Sequence, residues 1–371
     1  MKNIFLPFSL GILLAFSAGP AFLIDQKLEW PKKPITVYVG WSAGGTSDVI
    51  TRAVTLEMEK KLGKKILVMN VTGALGAIGA TQVARAPADG YLLFGGAGVH
   101  GTWPILGHSA VSWTDFYAFL GVVFSTTIYV LKDAPWTNLP ELIADIQTSS
   151  KGQFKYGHPG AGSNGDIFAG LVLDGAAVKE KVISIPYKGG REAGRYLISG
   201  ETQFASVSAG DLIDWAVAGL IRPLANLYHK EMVFEGIKFP SVLDNFPELE
   251  PYQAINPYMG LYVSRNTPPG IVTRIAETFI YAIQQSNFQK LVIKERAGIL
   301  LPKLGSASDE QMSKIQSARG WALFDLGLAL NNPQKFGVPK LRQWSWPPNQ
   351  QSAELRSWPE AVEILYQQLL Q

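Results

Sequence analysis

Apolar and polar positions along the chain follow a repeated strand–helix rhythm. Ile35–Val39 is an apolar, β-branched run, the turn Gly40–Gly45 follows it, and Thr46-Ser47-Asp48 opens an amphipathic pattern that continues to about Leu62. Ile66–Met69 reads as a second strand, Ala74–Arg85 as a helix and Tyr91–Phe94 as a third strand. The run Phe116–Leu131, FYAFLGVVFSTTIYVL, is apolar but shorter than the roughly 20 residues a membrane helix needs. Its β-branched and aromatic residues, with Ser125-Thr126-Thr127 inside, predict a buried strand crossing between domains. Leu139–Gln147 reads as a helix with Pro140 in its first turn, where proline is tolerated. Strands follow at Phe154–Tyr156, Val182–Pro186, Gln203–Ser206 and Arg222–Leu227, with helices starting near Asn164, Gly189 and Asp211. Met259–Val263 is a further strand, and Pro269–Gln284 and Phe288–Ala297 are helices. Such alternation predicts parallel or mixed sheets covered by helices.

At 371 residues and 47% hydrophobic, the chain has the length for two domains. The crossings near residues 130 and 255 predict one lobe from residues 22–130 plus 255–371 and a second from 131–254. Residues 1–21 read as an export signal: Lys2 supplies a charge, Ile4–Ala18 an apolar core, and small residues precede a cleavage point after Ala21. Net charge is +3 with only 17% charged residues, and no dense basic run occurs, which argues against nucleic acid as a partner. There are no cysteines, so disulfides and thiolate metal sites are excluded. The four histidines are too dispersed to suggest a metal site. At the far end, Gln343–Gln350 should be irregular, and Ser357–Leu370 returns to a helix with capping-box spacing between Ser357 and Glu360 and an apolar face of Trp358, Val362, Leu365 and Leu369.

The first turn carries the clearest chemistry. A strand, a glycine turn and a helix start present unpaired backbone N–H groups at the positive end of a helix dipole, which suits a carboxylate or phosphate. Gly160–Asp166, GAGSNGD, repeats the arrangement. There Ser163 supplies a hydroxyl and Asn164 is placed to cap. Asp48 and Asp166 would repel an anion if they faced it, so they are expected to cap their own helices. Ser206–Asp211, SVSAGD, is a weaker third element of the same kind. Gly40-Trp41-Ser42-Ala43-Gly44 is formally G-x-S-x-G, the pattern of a hydrolase nucleophile elbow; a triad would also need a histidine placed by a carboxylate. Gly96–Gly101 matches G-x-G-x-x-G, but Thr102-Trp103-Pro104 opens no predicted helix, as a dinucleotide site requires. His158 beside the second loop, and Lys188 and Arg191 at a strand end, could each meet a ligand or serve structure alone.

Five segments in register extend this reading. Gly44, Gly45 and Asp48; Asn70, Gly73, Ala74, Gly76 and Gly79; Asp89, Gly90 and Tyr91; Gly160, Gly162 and Ser163; and Pro186 to Gly190 match a pattern of glycine turns and short motifs. In this the chain resembles, over roughly Pro34 to Gly305, the extracytoplasmic solute receptors of tripartite tricarboxylate transporters, the Bug-type receptors. It departs from them at Trp41-Ser42-Ala43, after Ser163, and in a longer segment beyond about Gln316. The resemblance implies an α/β, two-lobed periplasmic-binding-protein (Venus flytrap) fold, each lobe a mostly parallel sheet flanked by helices. It implies a periplasmic monomer, not an enzyme, that needs no cofactor or metal. Its partners would be a small organic carboxylate and the membrane subunits of such a transporter. Together the residues and the resemblance give a candidate site of Ala43, Gly44, Gly45, Thr46 and Ser47 from the first lobe and Gly160, Ala161, Gly162, Ser163 and Asn164 from the second, with Ser208 as a further wall. The competing readings are a secreted serine hydrolase using Ser42 and a scaffold or sensor using the Trp-rich tail.

Overall fold

The computed structural model describes residues 29–347 and 355–371. The expected export signal, residues 1–21, lies outside them. From the first described strand, β1 (Ile35–Val39) leads into α1 (Thr46–Leu62), β2 (Ile66–Asn70), α2 (Ala77–Arg85), β3 (Leu92–Ala97), α3 (Trp103–Leu106) and β4 (Phe116–Val123). The chain then passes through Phe124-Ser125 straight into β5 (Thr126–Leu131). There follow α4 (Leu139–Thr148), β6 (Phe154–His158), α5 (Asn164–Gly175), β7 (Val182–Pro186), α6 (Gly190–Ile198), β8 (Phe204–Ser208), α7 (Ala209–Val217), β9 (Ile221–Asn226) and a small hairpin, β10 (Met232–Phe234) with β11 (Ile237–Phe239). The return runs through β12 (Tyr258–Ser264), α8 (Pro269–Gln284), α9 (Ser286–Lys290), β13 (Ile299–Lys303), α10 (Ser306–Asp325) and α11 (Glu360–Leu369).

Two sheets result, ordered β13-β4-β12-β3-β1-β2 and β7-β6-β8-β5-β9. The long apolar run is therefore one crossing segment that gives a strand to each sheet. Both sheets are mixed, one of the two arrangements the strand–helix alternation predicts, rather than the mostly parallel form the resemblance implies. β1 is parallel to β2 and β3, but β12 runs against β3 and β4, and β13 against β4. In the second sheet β6 is parallel to β7 and β8, while β5 opposes β8 and β9. The cause is the crossing itself. Strands such as β3, β4 and β8 end at the junction between the sheets, whereas β5 and β12 begin there: Thr126 faces Ser208, and Tyr258 faces Val123. A strand that starts where its neighbours end must run against them.

The junction is stitched by buried amides. Asn256 accepts from the Thr126 N–H at 2.8 Å and donates to the Leu227 carbonyl at 2.6 Å. Asn226 donates to the Phe239 and Pro240 carbonyls, and its oxygen accepts from the Ser125 hydroxyl at 3.2 Å. Each satisfies backbone groups that no ladder can reach where strands leave one sheet for another. Behind the junction lies α10, which has no counterpart among the predicted elements. Met312 and Ile315 enter the core of the first sheet, and Ala318, Ala322, Leu323 and Leu326 that of the second. Its apolar residues face two cores, so no single stripe marks it. The predicted helix from Ala74 begins instead at Ala77, because Ala74 and Leu75 take left-handed backbone, φ 48° and 54°, in a preceding tight turn.

The C-terminal helix packs on the first sheet's core through Val362 and Tyr366, and Trp358, just before it, joins the same core. The helix starts after Pro359, and Ser357 supplies no cap. Trp358 instead donates to the Asp309 carboxylate at 3.0 Å, and Asp309 pairs bidentately with Arg265, at 2.6 and 2.8 Å. Arg265 also donates to the Arg356 carbonyl. Removing the indole would open a cavity and take a donor from a buried ion pair. Trp358→Ala is expected to cost about 3–5 kcal/mol in urea unfolding.

His100 is fully buried among Tyr262, Trp103, Phe116 and Phe94, with ring centroids 4.1 to 5.4 Å away, and neither ring nitrogen has a hydrogen bond. Burial pushes its pKa down from 6.5 to about 3. The native ring stays neutral while the unfolded one takes a proton, so its contribution is present above pH 6.5 and is lost as pH falls toward 3. His100→Leu should flatten the stability–pH curve in that window by an amount on the order of 4 kcal/mol. A curve parallel to the unsubstituted protein's would refute the assignment.

Candidate ligand-binding site between the two sheets

β1, β3, β6 and β8 all end at the junction, and the loops after them face one another across it. From the first sheet comes the Gly40–Gly45 turn. Gly44 takes positive φ, 79°, and its N–H donates to Asp48 at 2.9 Å. Asp48 also accepts from Arg52 and from Asn70, both at 2.9 Å. Burial would raise its carboxyl, but Arg52, the Gly44 amide and Asn70 outweigh burial and hold it below its ordinary value. Asp48 is thus the brace of its own helix start, as expected.

The Gly160 loop is built the same way. Ser163 caps α5 by accepting from the Asp166 N–H at 3.2 Å. Asp166 accepts from the Gly162 N–H at 2.8 Å, the Tyr156 hydroxyl at 2.7 Å and the Ser184 hydroxyl at 3.0 Å. His158 lies 2.9 Å from the Gly160 carbonyl through Nδ1 and 2.8 Å from the Ser184 hydroxyl through Nε2. With Nδ1 as donor to the carbonyl, the neutral ring's Nε2 can only accept, so the single Ser184 hydroxyl proton is shared between Nε2 and the Asp166 carboxylate. Burial pushes the His158 pKa down, and the neighbouring Asp166 and the Gly160 carbonyl only partly offset this. The loop is held from behind by Arg319, whose guanidinium donates to the Gly162 carbonyl at 2.9 Å. Arg319 is wholly buried, and burial pushes its pKa down to about 10.

Of the predicted residues, Gly45, Thr46, Ser47, Asn164 and Ser208 meet in one narrow crevice, together with Ser42, Gly189, Gly190 and Asp211. Gly160 and Ala161 line a wider groove of about 650 Å³ that opens beside Trp41, with Thr72–Leu75 on one wall and Pro186–Lys188 on the other. Ala43, Gly44, Gly162 and Ser163 line neither. Asn164 donates to the Thr126 hydroxyl at 3.0 Å, tying α5 to the junction.

One cross-junction contact was not foreseen. Asp211, in the first turn of α7, accepts from both the N–H and the hydroxyl of Thr46 at the start of α1, each at 2.7 Å. Its second oxygen lies against Gly190, where a Cβ would come within 2.1 Å; a Cβ on Gly189 would come within 2.3 Å of the Ser42 hydroxyl. Only glycine permits this approach. Arg191 is directed away from a ligand: it donates to the Asp211 main-chain oxygen at 3.1 Å and to the Asp214 carboxylate at 2.6 Å.

The Ser42 hydroxyl makes no hydrogen bond. It faces Gly189 rather than a histidine, so the nucleophile-elbow geometry is not assembled. Among the described residues no cluster of histidine, aspartate and glutamate could hold a metal ion, and no helix is long and apolar enough to cross a membrane.

Residues 50–315 match the model of the tripartite tricarboxylate transporter family receptor. The chain belongs to that family. Membership places it among solute receptors rather than enzymes. A protein encoded in the TAR-I ttuE-ttuC' intergenic region of Agrobacterium vitis is 32% identical over 202 residues, 53% of this chain and 56% of that relative, so the chain spans little more than half of that relative's length. The structure of the periplasmic binding protein BugD superposes with a TM-score of 0.73 at 21% identity, covering 81% of this chain and 99% of BugD. R. palustris Rpa4515, solved with adipate, gives 0.70 at 22% identity, covering 81% of this chain and 99% of that one. These likenesses establish the two-lobed binding-protein fold.

The loop geometry makes one stability claim that can be checked. Asp166→Ala leaves the Tyr156 hydroxyl and the Gly162 amide without their acceptor. It should cost about 2–4 kcal/mol in denaturant unfolding, whereas Ser184→Ala, which keeps the other bonds to Asp166, should cost about 1 kcal/mol.

Proposed function

We propose that this protein is a periplasmic receptor. It captures a small organic carboxylate between its lobes and delivers it, as a monomer, to the membrane subunits of a tripartite tricarboxylate-type transporter. The lobes divide near residues 130 and 255, and the chain reaches the periplasm by a signal spanning residues 1–21. The observation that carries the carboxylate reading is the crevice. At the start of the 17-residue α1 the amide and hydroxyl of Thr46 already hold a carboxylate, that of Asp211, and the adjoining groove presents the Gly160–Ala161 backbone and Lys188 to a ligand. Such donors act through fixed dipoles, and closure around them excludes water and strengthens each bond. A structural relative solved with adipate supports the same ligand chemistry. The adjoining groove of about 650 Å³ has the volume for a small organic acid.

The test is calorimetric titration of protein recovered by osmotic shock against a panel of mono- and dicarboxylates. A carboxylate should bind. Gly45→Val should weaken binding by about tenfold or more, since its branches would press toward Asp211 and the Ser42 carbonyl, each 3.4 Å from the position of a Cβ. Trp358→Ala, remote from the crevice, should keep the affinity. Absence of binding to every acid, or equal affinity in Gly45→Val, would overturn the reading.

A further inference from the structure

The anion-accepting end of α1 is taken by the protein's own Asp211, a residue 165 positions away on the other lobe. Several features show that this seat is built. The carboxylate is buried and receives both donors of Thr46 at 2.7 Å. It lies at the third position of α7 and bonds the first residue of α1, so one carboxylate in the first turn of a helix of one lobe holds the N-terminus of a helix of the other. The Gly190 backbone leaves room for its outer oxygen, which any side chain would fill. Arg191, the nearest cation, turns its hydrogen bonds to the Asp211 main-chain oxygen and to Asp214. Burial raises the Asp211 pKa, and the Thr46 amide and hydroxyl and the Arg191 charge oppose that shift; the carboxyl is held by backbone and hydroxyl donors, and its outer side lines the crevice.

A ligand entering the crevice meets a carboxylate where a glycine turn and a helix start would otherwise offer only donors. A second carboxylate brought to that end would put two like charges together in a buried space, which is strongly unfavourable. A hydroxyl or ammonium group would instead find an acceptor. The other end of the ligand faces the wider groove, where Lys188 and the Gly160–Ala161 backbone lie.

We infer that Asp211 is a specificity-determining residue: it makes the receptor select monocarboxylates whose far end carries a hydrogen-bond donor, and reject dicarboxylates. This rests on the carboxylate-receptor reading above. The same contact also ties the lobes together without ligand.

The experiment titrates the unsubstituted protein, Asp211→Asn and Asp211→Ser with two matched sets. The six-carbon set is adipate, hexanoate and the ω-amino and ω-hydroxy hexanoates. The four-carbon set is succinate, butyrate and the ω-amino and ω-hydroxy butyrates. Circular-dichroism melting first confirms that each variant is folded, and ligand-free small-angle scattering is recorded for all three. The unsubstituted protein should bind the amino or hydroxy acid about tenfold or more tighter than the dicarboxylate of equal length. Both variants should gain affinity for the dicarboxylate by a similar factor, and their ligand-free radius of gyration should rise as the lobes part. If the unsubstituted protein binds adipate or succinate as tightly as the donor-bearing acids, or if the variants leave that ratio unchanged, the inference falls while the receptor reading stands. If none of the three proteins binds any acid in either set, the receptor reading fails and the inference fails with it.

Discussion

The structure depends on one segment serving two sheets. Phe116–Leu131 is continuous in sequence and almost wholly buried, yet it gives β4 to the first sheet and β5 to the second with only Phe124-Ser125 between. A strand pair of this kind leaves backbone groups facing the gap, and they must be satisfied where no ladder continues. Asn226 and Asn256 meet that need with side-chain amides that reach several carbonyls and one N–H. The joint also decides strand direction, because whatever crosses it starts where the other strands stop. Mixed sheets, helix N-termini facing across a gap, and loops concentrated at one junction all follow from that crossing.

α10 limits what the crossing can do. Its first half belongs to one core and its second half to the other, and Arg319 reaches from it to the Gly162 carbonyl. A buried guanidinium with no carboxylate partner is costly unless its protons find acceptors. Here the two terminal nitrogens find carbonyls, of Gly162 and more distantly of Ile255, while Nε is left without an acceptor. A helix shared by two cores couples them: any displacement of one core against the other must be taken up by sliding at Ala318, Ala322 and Leu323 or by bending of the helix.

How much of this was legible in the sequence varies with the type of signal. β1, α1, β2, α5 and the apolar crossing are marked by local pattern, since each has a β-branched run, a glycine turn or a capping residue within a few positions. The start of α2 was misplaced because Ala74 and Leu75 adopt positive φ, which alanine and leucine do not advertise. α10 left no stripe, because polar Ser308, Asp309, Ser313, Gln316 and Ser317 are buried alongside its apolar residues. Its polarity is explained only by what surrounds it: Gln316 bonds Trp113 and the Gly101 carbonyl, and Ser317 bonds the Pro339 carbonyl. Trp358 fell on the predicted apolar face, but its indole bond to Asp309 depends on a residue far away in sequence.

The candidate site shows the same limit in sharper form. A strand, a glycine turn and a helix start tell where negative charge will be welcome; they do not tell whose charge it is. Each turn that reads as an anion site already has a carboxylate from this chain. Asp48 serves the Gly44 amide, Asp166 the Gly162 amide and Asp211 the Thr46 amide. The first two could be assigned from sequence because they lie four residues from the amide they bind, within one helical turn. Asp211 could not, because its partner lies on another sheet and nothing in SVSAGD distinguishes an acid that braces its own helix from one that binds the start of another. The distinction matters physically. An acid that braces its own loop leaves the two sheets independent, whereas one that caps a helix of the opposite sheet turns a local cap into a bond between lobes. Its strength then depends on how closely Gly189 and Gly190 allow the two surfaces to approach.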